Sequence, residues 1–394
     1  MPRYKKSIIH VNVGALPHEI HLKNTLNNFD YKSDYLTMYP LFKIDNDFKK
    51  KNKIISKSFF STLYFFLYKF EKYNIVKYIN LFIQKISYSR IDKFILNNAD
   101  NYDIFIFQAS LAKGSLSFLK NKITLLNKWS AHVAIEKKIA DEEFMKKNIK
   151  VPNKQFGSSS SFQYNQELDE YQLVDKIIVP SKFAYKSFID KGFKPNKLQI
   201  IELAGFNSKH FYPTCYPTKK NFEILYVGRI TLNKGIAYLI ESFKKINIRN
   251  KKLKMFGVIE QDIKEYLKGK KLPDNIEILK PVKHQNLKYL YSKCDVLVQP
   301  SLFDGWSMVV TEALACGCPV ITTCNTGASD IIKEGINGYV VPIMDSEAIT
   351  ESLYKVYKDE KKIFMKRDQI AKTVDQYKDW NKYSSNYRAL IENI

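Results

Sequence analysis

The feature that most constrains this chain is the recurrence of short apolar runs separated by stretches of helical spacing. Runs of three to six residues rich in Ile, Leu, Val and Phe, each followed by a helical pattern, are the signature of βαβ units and a parallel sheet. In the first half such runs lie at residues 8–13, 104–107, 123–126, 177–179 and 198–201. In the second half they lie at 224–227, 253–256, 276–279, 296–298 and 320–322. A chain of 394 residues is too long for one ordinary core, and two α/β domains account for it. Residues 207–221, with Pro213, Pro217 and no apolar period, read as a linker. The expectation is two Rossmann-like domains in series, with a ligand held in the crevice beyond the strand C-termini.

Composition narrows the class further. Hydrophobic residues make up 45% and charged residues 26%, a globular balance rather than a disordered one. Apolar stretches such as Phe65-Phe66-Leu67-Tyr68 fall far short of the roughly 18 residues of a membrane span. The N-terminus runs from Met1-Pro2-Arg3 directly into a strand-like segment, without the longer apolar region of a secretory signal. A cytoplasmic protein is expected. The five cysteines are an odd number, and Cys316-Gly317-Cys318 has no second Cys/His pair to complete a zinc site. Reduced thiols are expected, and no metal.

Net charge is +23, of which residues 1–200 contribute +15. A lysine-rich genome explains this as well as attraction to a polyanion or an anionic membrane does. Residues 41–90 concentrate it: eleven Lys/Arg, including Lys49, Lys50, Lys51 and Lys53, against three acids, interleaved with Phe59, Phe60, Tyr64, Phe65, Phe66, Tyr68 and Phe70. Such a segment either lies on a membrane surface or buries its aromatics in a core beneath a solvated basic face.

Two constellations carry chemistry. The first is Leu225-Tyr226-Val227-Gly228-Arg229, followed by Lys234-Gly235 and a helix marked by Ile236, Leu239, Ile240 and Phe243. Arg229 and Lys234 therefore flank a strand-to-helix turn, where free N–H groups and the helix dipole already favour an anion such as a diphosphate. The second runs from Val296 through Pro300-Ser301, then Asp304-Gly305-Trp306-Ser307-Met308-Val309, to Glu312 and Cys316-Gly317-Cys318-Pro319. Asp304 lies in a loop at a strand C-terminus. Glu312 lies inside the next helix among Val309, Val310, Ala313 and Leu314, a poor place for an idle surface charge. Both acids are suited to accept hydrogen bonds from sugar hydroxyls.

These constellations, continued by Asn325-Thr326-Gly327-Ala328 and Asn337-Gly338-Tyr339-Val340-Val341-Pro342, resemble the retaining family 4 glycosyltransferases of GT-B fold. The resemblance runs almost continuously from Ile224 to Pro342. It implies an N-terminal acceptor-binding domain at 1–206, a nucleotide-sugar-binding domain at 222–375, and a C-terminal helix at 376–394 packing back towards the first. It implies that Arg229 and Lys234 hold the donor diphosphate, that Glu312 takes the ribose hydroxyls, and that Asp304 contacts the transferred sugar. Gly228, Gly305, Trp306, Ser307, Met308 and Val309 complete the donor site, with the helix amides near Trp306 supplying electrostatics. The family's first acid is usually Glu, so Asp304 is one methylene short. In the first half Trp129-Ser130-Ala131-His132, with Glu142-Glu143-Phe144, resembles the segment that brings a histidine to the donor sugar. Glu167, Glu170, Tyr171 and Asp175 resemble the following block. Gly14, in Val13-Gly14-Ala15-Leu16-Pro17, would face the diphosphate.

The reading that results is a retaining, hexosyl-transferring enzyme without cofactor or metal. Its substrates are a nucleoside-diphosphate sugar and a saccharide or lipid-linked acceptor, as in bacterial surface-polysaccharide or glycolipid assembly, with the enzyme peripheral at the inner membrane face. A non-catalytic scaffold of the same fold is the alternative. A nucleic-acid-binding protein is a weaker one, since the charge suits it but no recognised motif does.

Overall fold

The computed structural model describes residues 6–12, 31–37, 54–56, 74–149, 161–215, 221–358 and 366–394, together with Leu22 and Leu26. The apolar runs form two wholly parallel sheets, as the alternation with helices predicts. The first contains β1 (Ser7–Asn12), β2 (Lys32–Thr37), β3 (Ile54–Ser56), β4 (Ile104–Gln108), β5 (Ile123–Asn127), β6 (Lys176–Val179) and β7 (Leu198–Ile200), in the order β3-β2-β1-β4-β5-β6-β7. The second contains β8 (Phe222–Val227), β9 (Lys251–Phe256), β10 (Ile276–Leu279), β11 (Val296–Gln299), β12 (Val320–Thr323) and β13 (Gly338–Val341), in the order β10-β9-β8-β11-β12-β13. Each sheet thus repeats the doubly wound 3-2-1-4-5-6 order, whose direction of winding reverses between its first and fourth strands. Those reversals fall between β1 and β4 and between β8 and β11.

The described α-helices are α1 (Asn74–Asn97), α2 (Lys113–Leu116), α3 (Val133–Lys146), α4 (Ser161–Leu173), α5 (Lys182–Ile189), α6 (Ile236–Lys245), α7 (Gln261–Leu267), α8 (Leu287–Lys293), α9 (Met308–Ala315), α10 (Ser346–Lys358), α11 (Arg367–Lys372) and α12 (Asn381–Glu392). The sheets and helices make a bilobed GT-B fold of two Rossmann-like domains. One apolar cluster joins the lobes: Ile104 and Leu125 of the first sheet share it with Leu225, Trp306 and Val320 of the second, and with Tyr383 and Tyr387 of α12. The C-terminal helix therefore returns to the first domain. There Tyr387 donates to the buried Asn127 Oδ1 at 2.8 Å, and Lys382 pairs with Glu202 at 2.7 Å. Helix α3 also crosses between the lobes. Val133 at its start belongs to a first-lobe core cluster, whereas Ile139, Ala140 and Phe144 belong to the second lobe's core.

Three strands were not among the apolar runs. β2 carries Ser33 and Asp34, which break an apolar pattern yet are buried; Asp34 is satisfied by the Tyr102 hydroxyl at 2.7 Å. β3 is a three-residue edge, and β13 is an edge that opens on Gly338. Of the basic, aromatic stretch, 54–56 is β3 and 74–90 belongs to α1. Lys49, Lys50, Lys51, Lys53 and the seven aromatics between 59 and 70 lie outside the described residues.

Candidate functional site at a sheet switch point

The second sheet's switch point brings together the loops that leave β8 and β11. After Gly228 the chain passes the exposed Arg229 and makes a tight turn at Leu232–Lys234, held by Leu232 N–H donating to buried Asp262 at 2.7 Å. Gly235 follows at φ +69°, and a Cβ there would stand 1.8 Å from the Pro300 carbonyl oxygen. Only glycine satisfies both the left-handed backbone and the contact. The Leu302 N–H then donates to the Asn233 carbonyl at 2.9 Å, tying one loop to the other. The result is a direct ion pair: Lys234 Nζ reaches Asp304 Oδ2 at 2.5 Å. Arg229, by contrast, has no acidic partner among the described residues.

Beyond Asp304 the chain is pressed against the first lobe. A Cβ on Gly305 would lie 1.8 Å from the Trp129 carbonyl oxygen, so the absence of a side chain sets the closeness of the lobes. Trp306 is buried and anchored by its indole N–H to Thr311 Oγ1 at 2.9 Å. Ser307 starts α9 at φ +69°, a costly conformation for a non-glycine residue, and its buried Oγ has no hydrogen-bond partner. Met308 and Val309 are half-buried, and their N–H groups lack intrahelical partners, whereas the Val310 N–H donates to the Ser307 carbonyl at 3.0 Å. The unpaired amides of α9, its dipole and the orphaned Ser307 hydroxyl are groups that favour an anion.

Glu312 is buried on the same helix, four residues or roughly 6 Å further along its axis than Met308. Its Oε1 lies 2.7 Å from His284 Nε2, and its Oε2 accepts from the Tyr291 hydroxyl at 3.2 Å. That hydrogen bond, opposed by partial burial, raises the His284 pKa above its ordinary value.

The facing wall comes from the first lobe. His132 caps α3, its Nδ1 accepting from the Ala134 N–H at 3.2 Å, and its ring lies 5.0 Å from Tyr171, 4.9 Å from Phe188 and 5.7 Å from Phe193. Burial, with Lys128 and Lys191 nearby, brings its pKa down to about 4, so the ring is neutral at pH 7. With Nδ1 an acceptor, the proton resides on Nε2. Beneath it lies a buried charge network that the sequence did not disclose. Lys128 pairs with Glu167 at 2.8 Å and approaches Glu136 at 3.9 Å, while Glu167 also accepts from Tyr171 at 2.6 Å and Ser110 at 2.8 Å. Burial works against both charges, but Lys128 and the two hydroxyls outweigh it and hold Glu167 below the usual carboxylate range. Because Lys128 adjoins Trp129, this network braces the strip against which Gly305 packs.

Of the residues singled out, Lys234 and Asp304 are in contact, Gly228 and Arg229 stand at the same strand end, and Gly305 to Val309 open the adjoining helix. Glu312 forms a separate pair with His284, and His132 is packed as a helix cap. Gly14 lies outside the described residues. The cysteines are free: Cys294, Cys316 and Cys318 are buried, and Cys294 and Cys318 have their sulfurs 3.3 Å apart. Among the described residues no group of three or more His, Cys, Asp or Glu side chains is placed to hold a metal ion. Sequence reasoning missed His284, Tyr291 and Lys128, none of which sits in a motif.

Comparison with known proteins bears on the fold and the family. Residues 216–376 match the family described as glycosyl transferases group 1. The capsular polysaccharide biosynthesis glycosyltransferase CapM of Staphylococcus aureus is 32% identical over 203 residues, covering 47% of this chain and 53% of CapM. The chain spans about half the length of the curated relatives it matches, or less. Among solved structures, sucrose-phosphate synthase from Thermosynechococcus elongatus superposes with a TM-score of 0.70 at 18% identity, covering 99% of each chain. Anabaena HepE in complex with UDP and glucose superposes with a TM-score of 0.65 at 13% identity, covering 99% of this chain and 100% of that one. The chain is a GT-B-fold relative of the group 1 glycosyl transferases.

Breaking the brace tests its weight. Lys128→Met leaves Glu167 buried without its cation, and unfolding free energy at pH 7 should fall by about 3–5 kcal/mol. In the wild type Glu167's depressed pKa contributes stability above the ordinary carboxylate pKa and loses it as pH falls. The deficit of the variant should therefore shrink towards pH 4 in denaturant titrations. A loss that is small, or the same at both pH values, would contradict the assignment.

Proposed function

We propose that this chain is a retaining glycosyltransferase that moves a hexosyl group from a nucleoside-diphosphate sugar to a saccharide or lipid-linked acceptor. The observation that carries the reading is the Lys234–Asp304 pair at the switch point, beside the exposed Arg229 and the open first turn of α9. A diphosphate seated there meets two fixed cations and unpaired amides, while Asp304 stands where the sugar on its distal end arrives. When the bond between the anomeric carbon and the diphosphate oxygen breaks, negative charge grows on that oxygen. Lys234, Arg229 and the α9 amides stabilise it, which is the dominant requirement for this departure. The acceptor oxygen bonds to the anomeric carbon from the same face, and its proton leaves with the diphosphate. Neutral His132 takes part as a hydrogen-bond donor through Nε2, not as a cation. In this reading Glu312 accepts the ribose hydroxyls. Gly14 approaches the diphosphate from the first lobe, residues 1–206 receive the acceptor, and residues 222–375 hold the donor. The similarity to CapM, a capsular polysaccharide biosynthesis glycosyltransferase, supports glycosyl transfer and a place in surface-polysaccharide assembly.

A cytoplasmic enzyme resting on the inner membrane face completes the proposal, with nucleic acid no part of it. No helix among the described residues is long and apolar enough to cross a membrane. Helix α1, however, exposes Tyr78 at 72% and Phe82 at 65%, in line with the exposed Lys85, Ser89 and Lys93. Aromatics at the level of lipid headgroups with lysines beside them suit an anionic bilayer, at about 1 kcal/mol per cation near the surface.

Two measurements test the proposal. Arg229→Ala or Lys234→Ala should each lower transfer or donor hydrolysis by about a hundredfold with folding intact; near-normal turnover by both would remove the reading. Replacing Tyr78 and Phe82 with Ser should weaken sedimentation with vesicles containing anionic lipid while leaving donor hydrolysis in solution unchanged. Wild-type binding that is absent, or indifferent to salt and lipid charge, would dismiss the membrane while sparing the enzyme.

A further inference from the structure

One partner of Glu312, His284, has no part in the chemistry outlined above. Glu312 is almost wholly enclosed, its side chain 4% exposed, yet the imidazole bonded to it is 64% exposed. The buried carboxylate therefore meets the surface through His284. The ring is not loosely placed. His284 opens the tight turn His284–Asn286 that leads into α8, and Phe211 packs edge-on against it at 5.0 Å. Phe211 is buried and comes from the stretch joining the two lobes; it also lies 6.2 Å from the Tyr291 ring. Tyr291 in turn holds the second carboxylate oxygen.

The consequence lies in counting acceptor sites. An ionised carboxylate offers about four lone-pair directions, two on each oxygen. His284 occupies one on Oε1 and Tyr291 one on Oε2. One remains on each oxygen, and the two anchors together fix the rotation of the carboxylate plane. Two acceptors of fixed separation match a pair of adjacent hydroxyls donating in parallel. A single hydroxyl engages only one of them and leaves the other unfilled in a desolvated site, which is costly.

We propose that His284 is a positioning and specificity residue: by anchoring Glu312 Oε1 opposite Tyr291 it presents two parallel acceptors to the vicinal diol of a ribonucleotide and disfavours a 2′-deoxyribonucleotide. The inference rests on the reading of Glu312 as the ribose acceptor and extends it to a residue outside the motif. His284 acts through the carboxylate and touches no reacting atom. Removing it frees the plane to rotate, so the diol loses its two-point fit, whereas a 2′-deoxy sugar, which uses one point, loses little.

The test is calorimetric titration of the full chain with UDP, GDP and ADP and with their 2′-deoxy counterparts, for wild type, His284→Ala, His284→Gln and Glu312→Gln. Wild type should prefer the ribonucleotide. His284→Ala should bind it roughly tenfold more weakly, the size expected from disordering one hydrogen bond to a charged group, with the 2′-deoxy form changed far less, so that the preference narrows. His284→Gln, whose amide N–H reaches for the same oxygen, should restore much of it. Equal weakening of both forms in His284→Ala, or an unchanged preference, overturns the role of His284 while Glu312→Gln still shows whether Glu312 is the acceptor. No preference in the wild type, or no binding of any of the three nucleotides, overturns the ribose reading itself and the proposal with it.

Discussion

The site depends on one contact, the close approach of the loops leaving β8 and β11. A parallel sheet that reverses its winding must send these two loops to opposite faces, and the gap between them is where a ligand enters. Here the gap is closed at its base by the Leu302 N–H on the Asn233 carbonyl and by Gly235 against Pro300. That contact aligns Lys234 with Asp304 across it. Lys234 and Asp304 neutralise each other, which lowers the cost of holding two partly buried charges. A diphosphate offers the lysine a second anion, and a sugar offers the carboxylate hydroxyl donors, so each partner of the pair has a ligand group to take up. The shorter side chain of Asp304, relative to the usual glutamate, fits a position already within reach of Lys234.

The facing lobe contributes rigidity rather than charge. Gly305 allows the Asp304 loop to lie directly on the Trp129 carbonyl, and behind that strip Lys128, Glu167 and Tyr171 form a satisfied buried network. Buried ion pairs add little net stability but are costly to break, so the network defines one arrangement of the wall. Helices α3 and α12 carry the same constraint between lobes, each placing side chains in a core that is not its own by sequence. The distance between the lobes, and with it the shape of the cleft, is therefore set by packing on three sides.

Much of this was legible in the residues. Ten apolar runs gave ten of the thirteen described strands, because a parallel strand buried on both faces is written as continuous Val, Ile, Leu or Phe. β2 escaped because its buried Ser33 and Asp34 break the apolar pattern, and Asp34 is satisfied by a long-range hydrogen bond from Tyr102, which no local pattern encodes. Arg229, Lys234 and Asp304 stood out because glycines and strand ends mark where the backbone exposes side chains to a ligand, and Glu312 because a carboxylate inside a helix stood among apolar neighbours. The contact between Lys234 and Asp304 did not, since it spans 70 residues and follows from sheet order. His284, Tyr291 and Lys128 stand at helix and strand ends like many others, and only their partners distinguish them. His132 shows the reverse: its neighbours resembled a motif, but the aromatic cage and helix cap around it emerge only in three dimensions.

The central claim is that a nucleoside diphosphate is held where β8 and β11 part. Amide hydrogen exchange of the intact chain with and without UDP, GDP or ADP addresses it directly. The account predicts that the nucleotide which binds slows exchange most in residues 228–235 and 304–312, the two tied loops and the first turns of α9. Protection confined to the loops that follow the strands of the first sheet, with residues 228–235 and 304–312 unchanged, would contradict it.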